Sequence, residues 1–335
     1  MFAEAAEGGD VVARQLHLNA DMVAALAEQL RADPPRMVWT GARGSSDHAA
    51  TFLKHLVETR AGVIVASASP SAASLYGAAP DARGALAIGL SQSGASPDLI
   101  ATMRAAAVAG ARTVAMVNVE SSPLAALADT VLPLRAGAET SVAATKSFLA
   151  LLAASIGLVA AWTRNDALAG SLAALPDQLR AAWRCDWSPV VDMLADRRGL
   201  YVVGRGPGFG VAQEMALKLK ETCGIHAEAF SAAELRHGPM ALVGPDFPVL
   251  IVQQDDESAS ATAALAGDLV ARGVPVLSTG RPIGGAVCLP LPPSDPVSAP
   301  ILAAQAFYRA ANALSVRRGL DPDHPPLLSK VTETV

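Results

Sequence analysis

The chain has 335 residues, 51% hydrophobic, 17% charged and 4% aromatic; its apolar mass lies in Ala, Val and Leu, enough for two packed cores, and a disordered chain is excluded. With 26 Lys and Arg against 31 Asp and Glu the net charge is −5, so there is no electrostatic footprint for nucleic acid or an anionic membrane, and any bound phosphate must be held locally. Cys185, Cys223 and Cys288 are too widely spaced for a disulfide framework or a zinc site, and a reducing cytoplasm is the expected setting.

The opening MFAEAAEGGD is acidic and lacks a basic stretch ahead of an apolar one, which argues against a secretory signal. Leu18, Met22, Val23, Leu26 and Leu30 recur at helical spacing and predict a helix over Val12 to Arg31, stopped by Asp33-Pro34-Pro35. Short apolar runs then alternate with Ala-rich helical segments. Met37 to Thr40, Val63 to Ala66, Ala85 to Leu90, Thr113 to Val117 and Thr130 to Leu134 read as strands, and the alternation predicts an α/β fold with a parallel sheet. The apolar run Phe148 to Trp162 falls short of the ~20 residues that cross a bilayer and reads as a buried helix.

The rhythm recurs. LYVVGRGPGFGVAQEMALKLK from Leu200 resembles MVWTGARGSSDHAATFLKHL from Met37, and VLIVQQDDESAS from Val249 resembles IGLSQSGASPDL near Ile88, so the chain reads as an internal duplication. Helical segments with Pro176, Trp183 and Trp187 connect the halves, and a Pro-rich tail follows Arg318.

Two turns of the first half have the composition of an anion pocket. After the strand ending at Leu90, the loop offers Ser91, Gln92, Ser93 and Ser96, with Gly94 to turn backbone N–H groups inward and Ser96-Pro97 to open a helix. A Ser/Gly-rich connecting loop with an N-cap has the same composition. The loop after the first strand adds Arg43, Gly44, Ser45 and Ser46. At the repeat of the serine loop stand Asp255, Asp256 and Glu257, which would repel a phosphate, so only the first half keeps such a site. GRGPGFG fails the dinucleotide pattern G-x-G-x-x-G because Phe209 stands where the last glycine belongs.

At about 100° per residue, Glu214, Lys218 and Glu221 share one helical stripe, opposite Ala212, Met215, Ala216 and Leu219. That is either a chemical face or an amphipathic helix with a solvated ion pair. Ser231-Ala-Ala-Glu234 predicts a capping box and a short helix ended by Gly238-Pro239, with His237 at its negative end as a proton donor or simply a cap.

These segments are similar to a known family. SQSGAS, AGAETSVAATKSF (136–148), ALKLKET and HAEAFSAAELRHGP resemble the sugar isomerase (SIS) domain pair in the isomerase half of glutamine:fructose-6-phosphate aminotransferase, from about Met37 to the final SKVTETV. TGARGSSDHAATF and GRGPGFG look closer to stand-alone SIS-type glucosamine-6-phosphate deaminases. The resemblance implies two tandem SIS domains, each a three-layer α/β/α sandwich: a helical segment at 1–34, SIS domains at 35–165 and 197–317, a helical linker at 166–196 and a tail at 318–335. It implies conversion of glucosamine 6-phosphate to fructose 6-phosphate and ammonia, with no metal or cofactor. Because Phe2 follows Met1, the aminotransferase's glutaminase domain, with its cysteine nucleophile, is expected to be missing.

Carried onto this chain, Glu221 matches the base that moves a proton between C1 and C2, and His237 the ring-opening histidine, which in the family comes from the neighbouring subunit of a homodimer. Lys330 matches the lysine that forms a Schiff base, although the chain reads HPPLLSKVT where the family has PRNLAKSVT. Glu214 and Lys218 match supporting residues; Ser46, Ser91, Gln92, Ser93 and Ser96 match sugar-phosphate contacts, and Val142 a further substrate contact. An aminotransferase-type isomerase, a galactosamine-6-phosphate deaminase and a deglycase of Amadori-product phosphates share the pattern. A non-catalytic sugar-phosphate sensor would lack the acid–base set.

Overall fold

The computed structural model describes residues 1–78 and 80–330. The chain runs α1 (Phe2–Ala6), α2 (Gly8–Ala32), β1 (Met37–Gly41), α3 (Ser45–Leu56) with a π-helical extension (Val57–Ala61), β2 (Ile64–Ser67), α4 (Pro70–Ser74), β3 (Ala85–Ser91), α5 (Pro97–Val108), β4 (Arg112–Val117), α6 (Pro123–Leu127) and β5 (Thr130–Pro133). It continues through α7 (Lys146–Thr163), α8 (Asp166–Ala182), α9 (Ser188–Leu194), β6 (Gly199–Gly204), α10 (Pro207–Cys223), β7 (His226–Ser231), β8 (Val249–Ile251), α11 (Ala259–Ala271), β9 (Val276–Thr279), β10 (Val287–Leu289) and α12 (Ala299–Arg317). All five strands predicted for the first half are present, and the predicted first helix is extended toward its N-terminus.

Two compact units result. One comprises Asp10–Glu139, Lys146–Ala173 and, among the described residues of the tail, Ser329 and Lys330; the other comprises Met1–Gly9, Thr140–Thr145 and Ala174–Leu328. The sequence expectation for the tail reached residue 335, of which 331–335 lie outside the described residues.

In the first unit the sheet order is β2-β1-β3-β4-β5, and every pairing is parallel. All seven residues of β3 are buried, as expected for the central strand of a sheet covered on both faces. One face packs Leu99, Met103 and Ala106 of α5 and Leu124 of α6 against Ala87, Ala115 and Val117. Helix α7 has the length and mean hydropathy of a membrane span, but 83% of it is buried inside the protein, so it is a core helix.

The other unit repeats the plan. Its sheet runs β10-β9-β8-β6-β7, again fully parallel, which read from the other edge is the same succession of strands. The register repeats too, since Thr40 faces Ile88 in the first sheet as Val203 faces Ile251 in the second. So do the helix boundaries. Gly44 (φ 54°, ψ −131°) precedes α3 and Gly206 (φ 55°, ψ −131°) precedes α10, while Gly62 and Gly224, both left-handed, follow them. A side chain is disfavoured at such a positive φ, which explains glycine at all four positions. The duplication read in the sequence is therefore present in the backbone.

Candidate functional site

The serine loop leaves the carboxyl end of β3, the place where open parallel sheets hold ligands. Ser91 is buried, and its Oγ accepts the Gly94 N–H at 2.9 Å; Ser93 Oγ accepts the Ala95 N–H at 3.3 Å. Gly94 (φ 63°) has no room for a side chain, since an added Cβ would lie 2.2 Å from Ser122 Oγ. The loop is thus a folded turn with Gln92, Ser93 and Ser96 half-buried along it. Ser96 stands at the N-cap position of α5, but its hydroxyl makes no capping bond. Ser46, buried, lies in the first turn of α3, next to half-buried Ser45 and exposed Gly44.

Arg43 is engaged within the protein. Its Nε donates at 2.7 Å to Oδ2 of Asp98, a carboxylate only 1% exposed in the first turn of α5. This bridge ties the β1–α3 loop to the α5 N-terminus, and Asp98 gave no signal in the sequence beyond following Ser-Pro. Beside it, burial pushes the pKa of Asp47 up, against the lowering effect of His48 and Arg43.

The repeat of this loop is closed. Gln254 takes the place of Ser91, and its Nε2 donates to the Arg205 carbonyl at 2.7 Å and to Asp256 at 3.0 Å. Its Oε1 packs onto Gly208 so closely that an added Cβ would approach to 2.7 Å. A glutamine plug and an acidic side chain thus occupy the second half where the first half presents hydroxyls. The glycines of GRGPGFG serve packing as well: a Cβ at Gly204 would meet the Gly208 carbonyl at 2.4 Å.

Helix α10 carries the charged stripe. Glu214 and Lys218 are both completely buried, and Glu221 is 20% exposed. Lys218 Nζ lies 3.3 Å from Glu214 Oε1 and donates to Glu221 Oε2 at 2.6 Å; Tyr308 of α12 donates its hydroxyl to Glu214 Oε1 at 3.2 Å. Burial alone would depress the Lys218 pKa, but the Glu214 and Glu221 carboxylates outweigh it and hold the ammonium above its usual range. The reading of this stripe as a solvated surface pair is excluded by that burial.

The duplication sharpens the point. Counted from Gly44 and Gly206, Glu214 repeats Phe52 and Lys218 repeats Leu56, and both of those are fully buried apolar residues. The same two core positions hold hydrocarbon in one half and an ion network in the other. Removing such ions from water costs several kcal/mol each, so stability alone does not account for them. At the end of α10, burial raises the Cys223 thiol to about 11, which keeps it protonated and a poor nucleophile.

His237 requires a correction. The predicted capping box does not form: Ser231 ends β7, and a single 3₁₀ turn, Glu234–Arg236, follows with Ala233 at its N-cap and no side-chain cap. His237 stands just after that turn, exposed, with its N–H on the Glu234 carbonyl at 2.9 Å. One 3₁₀ turn has too few aligned peptides to provide the dipole argued from sequence. Gly238 (φ 133°) then opens a second 3₁₀ turn, Pro239–Leu242.

Lys330 lies 3.4 Å from Glu139, whose fully buried carboxylate also accepts the Ser147 hydroxyl at 2.6 Å and the Ser147 N–H at 3.1 Å. Glu139 is a site candidate that the sequence reading passed over. Its signal was a lone carboxylate in the otherwise uncharged stretch before the α7 lysine. Val142, half-buried in the other unit, donates its N–H to the Asp323 carbonyl at 3.2 Å. Among the described residues no group of three His, Cys, Asp or Glu side chains is placed to hold a metal ion.

A family model of the SIS domain matches residues 33–160 and 193–279. The chain belongs to the SIS domain family. Glutamine–fructose-6-phosphate aminotransferase of Halobacterium salinarum is 36% identical to this SIS protein over 307 residues, covering 86% of this chain and 50% of the relative. That of Aeropyrum pernix is 34% identical over 325 residues, covering 91% and 52%. The chain spans about half the length of these curated relatives. Among solved structures, a candidate phosphosugar isomerase from Silicibacter pomeroyi DSS-3 superposes with a TM-score of 0.92 at 39% identity, covering 96% of this chain and 99% of that one. The C-terminal domain of glucosamine-fructose-6-phosphate aminotransferase from Francisella tularensis gives 0.85 at 25%, covering 96% and 97%. Glucosamine-6-phosphate deaminase from Thermotoga maritima, at 22% identity and a TM-score of 0.74 over 97% and 100% of the two chains, shares the fold.

Proposed function

We propose that this SIS protein is a phosphosugar aldose–ketose isomerase that deaminates glucosamine 6-phosphate, giving fructose 6-phosphate and ammonia. The observation that carries the reading is the Glu214–Lys218–Glu221 network, buried on α10 where the sister helix has Phe52 and Leu56. The relatives support the class of substrate: the aminotransferases by name, and the Silicibacter pomeroyi structure as a candidate phosphosugar isomerase.

In this reading the sugar phosphate is held by hydroxyls and backbone N–H groups of Ser46, Ser91, Gln92, Ser93 and Ser96. His237 assists ring opening, which frees the C1 aldehyde. Glu221 removes the C2 proton and returns it at C1, and Lys218, held charged by its two carboxylates, fixes the position of Glu221 through its hydrogen bond. The C2 imine formed by this shift is hydrolysed by water, which releases ammonia and leaves the C2 ketone. Lys330 is the amine for a Schiff base with the ketose, and Glu139 beside it is the group that positions it. The protein works as a homodimer and, with three free thiols, in the cytoplasm.

The test is incubation with glucosamine 6-phosphate, galactosamine 6-phosphate and a fructosamine 6-phosphate, with ammonia and ketose phosphate measured together, and borohydride trapping of the Lys330 adduct from fructose 6-phosphate. Stoichiometric ammonia from glucosamine 6-phosphate alone supports the assignment. Ammonia from another substrate only reassigns the sugar, and no turnover of any of them removes the enzymatic reading.

A further inference from the structure

Asp98 lies in the first turn of α5, two residues beyond Ser96, and Arg43 lies three residues ahead of Ser46. Their bridge therefore runs between the two segments to which the proposed function assigns the phosphate. Asp98 is buried, and its Oδ1 accepts the Leu99 N–H at 2.7 Å, so a carboxylate already occupies the positive end of α5. Its Oδ2 accepts from both Nε, at 2.7 Å, and Nη2 of Arg43, whose side chain is otherwise half exposed. Beside the bridge, Gly41 packs so closely on α5 that an added Cβ would lie 2.9 Å from Leu99, so the two loops are fixed against each other. A phosphate dianion held at this helix end meets a buried negative charge within about one helical turn of Ser96. Arg205 repeats Arg43 ahead of Gly206, yet no acidic residue stands in the first turn of α11. The carboxylate at the helix end is peculiar to the half that presents hydroxyls.

We infer, on the reading that a sugar phosphate sits on these loops, that Asp98 and Arg43 act on it as a neutral pair. Asp98 lowers the affinity for the dianion, Arg43 cancels that repulsion, and neither touches the phosphate, which is left to hydroxyls and backbone N–H groups. Arg43 is thus a positioning residue and a counter-charge, not the phosphate ligand that its place in the loop suggested. Fixed charges act additively on a bound ion, so removing them one at a time shifts the affinity in opposite directions and removing both returns it. A phosphate ligand behaves differently, because its charge-assisted hydrogen bond is not restored by neutralising Asp98. A bridge that only ties the loops differs again: cut from either end, it loosens the same segments and weakens binding both times.

The test titrates fructose 6-phosphate and fructose 6-sulfate into the full chain by calorimetry, two esters of one shape that carry about two and about one negative charges near neutral pH. Arg43→Gln should weaken the phosphate about tenfold and the sulfate about threefold, since the repulsion scales with the charge of the ligand. Asp98→Asn should tighten both, the phosphate more. The double variant should bind each ester within about twofold of the wild type. A double variant that binds the phosphate about tenfold or more weakly than the wild type makes Arg43 a phosphate ligand and overturns the neutral pair. Weaker binding in Asp98→Asn, or equal factors for the two esters, leaves only a structural tie and overturns it as well. Asp98→Asn and the double variant keep no carboxylate at position 98, so they decide the question even where Arg43→Gln does not fold. Wild-type protein that binds neither ester is the failure of the proposed function itself, and the pair falls with it; every other adverse result leaves that function standing.

Discussion

Lys218 and Glu221 lie one turn apart on α10 with Nζ 2.6 Å from Oε2, and the only one of these two side chains with any exposure is the carboxylate, at 20%. A buried ammonium thus backs a carboxylate that solvent, or a substrate, can reach. The pair has the form of a carboxylate base held in place by a buried hydrogen-bond donor. Glu221→Gln should keep phosphosugar affinity within a few-fold while losing about 10²- to 10⁴-fold in kcat, the usual worth of a positioned acid–base group. Exchange of the C2 hydrogen with deuterated solvent measures the step directly. Exchange at the wild-type rate in the Gln variant would return Glu221 to a structural role.

Because the same positions are apolar in the sister helix, the ion network can be replaced by the protein's own alternative. Lys218→Leu alone strands Glu214 in a fully buried site and should cost about 3–5 kcal/mol of stability. Adding Glu214→Phe, which copies the Phe52 and Leu56 arrangement, should recover most of that loss while the double variant stays inactive. Urea unfolding of the two variants decides it. A double variant no more stable than the single one would mean that the halves differ in packing around these positions.

The two strand-end loops should respond oppositely to charge. Ser93→Asp places a carboxylate in the hydroxyl loop and should weaken phosphosugar binding by at least about tenfold through repulsion of the phosphate. Asp255→Ser in the other half, where Asp255 pairs with exposed Arg281, should leave affinity unchanged. Titration of fructose 6-phosphate into each variant gives both numbers, and an unaltered affinity in Ser93→Asp would take the loop out of the site.

Acid should loosen the attachment of α1. Burial raises the Glu4 pKa, but the N–H groups of Thr140 and Ser141 and their hydroxyls outweigh it and bring it down to about 2, below its ordinary 4.5. A carboxyl whose folded pKa lies below its unfolded one stabilises fully above the unfolded value and loses that contribution as the pH falls toward the folded one. The contribution of Glu4 is therefore complete above about pH 4.5 and disappears between there and about pH 2. Glu4→Gln should flatten the stability profile in that window and change little at pH 7 beyond a constant offset. A profile of unaltered slope would show that the carboxylate is not bonded in solution.

Much of this molecule was legible before its structure because parallel α/β folds write their strands as short apolar runs, and because the duplication repeated the pattern. The strands from Met37 to Thr130 and the buried helix after Lys146 followed directly. Strands β7, β9 and β10 did not, since Glu228 interrupts the first and the other two are only four and three residues long. At the candidate site, helical spacing brought Glu214, Lys218 and Glu221 together, but spacing says nothing of depth, and depth is what separates an ion network from a surface pair. Partners remote in sequence were out of reach: Tyr308 on Glu214, Asp98 on Arg43 and Glu139 on Lys330 each join segments that local pattern cannot relate. The capping box at Ser231 failed because the helical turn begins only at Glu234, with Ala233 at its N-cap, while Ser231 still ends β7.

The position of His237 leads to the last prediction. It lies between two short 3₁₀ turns, Glu234–Arg236 and Pro239–Leu242, and its side chain is exposed. The proposed chemistry gives it a task in ring opening, and the simplest way for an exposed imidazole to meet that task is to enter the site of a second chain. Glu221→Gln and His237→Ala should each be inactive as pure proteins. Mixed under conditions that exchange subunits, they form heterodimers in which one of the two sites combines wild-type Glu221 with wild-type His237, so with random exchange about a quarter of wild-type activity should return. The measurement is glucosamine 6-phosphate turnover alongside native mass spectrometry, which counts the heterodimers independently. Heterodimers without recovered activity would mean that each chain uses its own histidine, and the absence of any dimer would mean that His237 serves no neighbour at all.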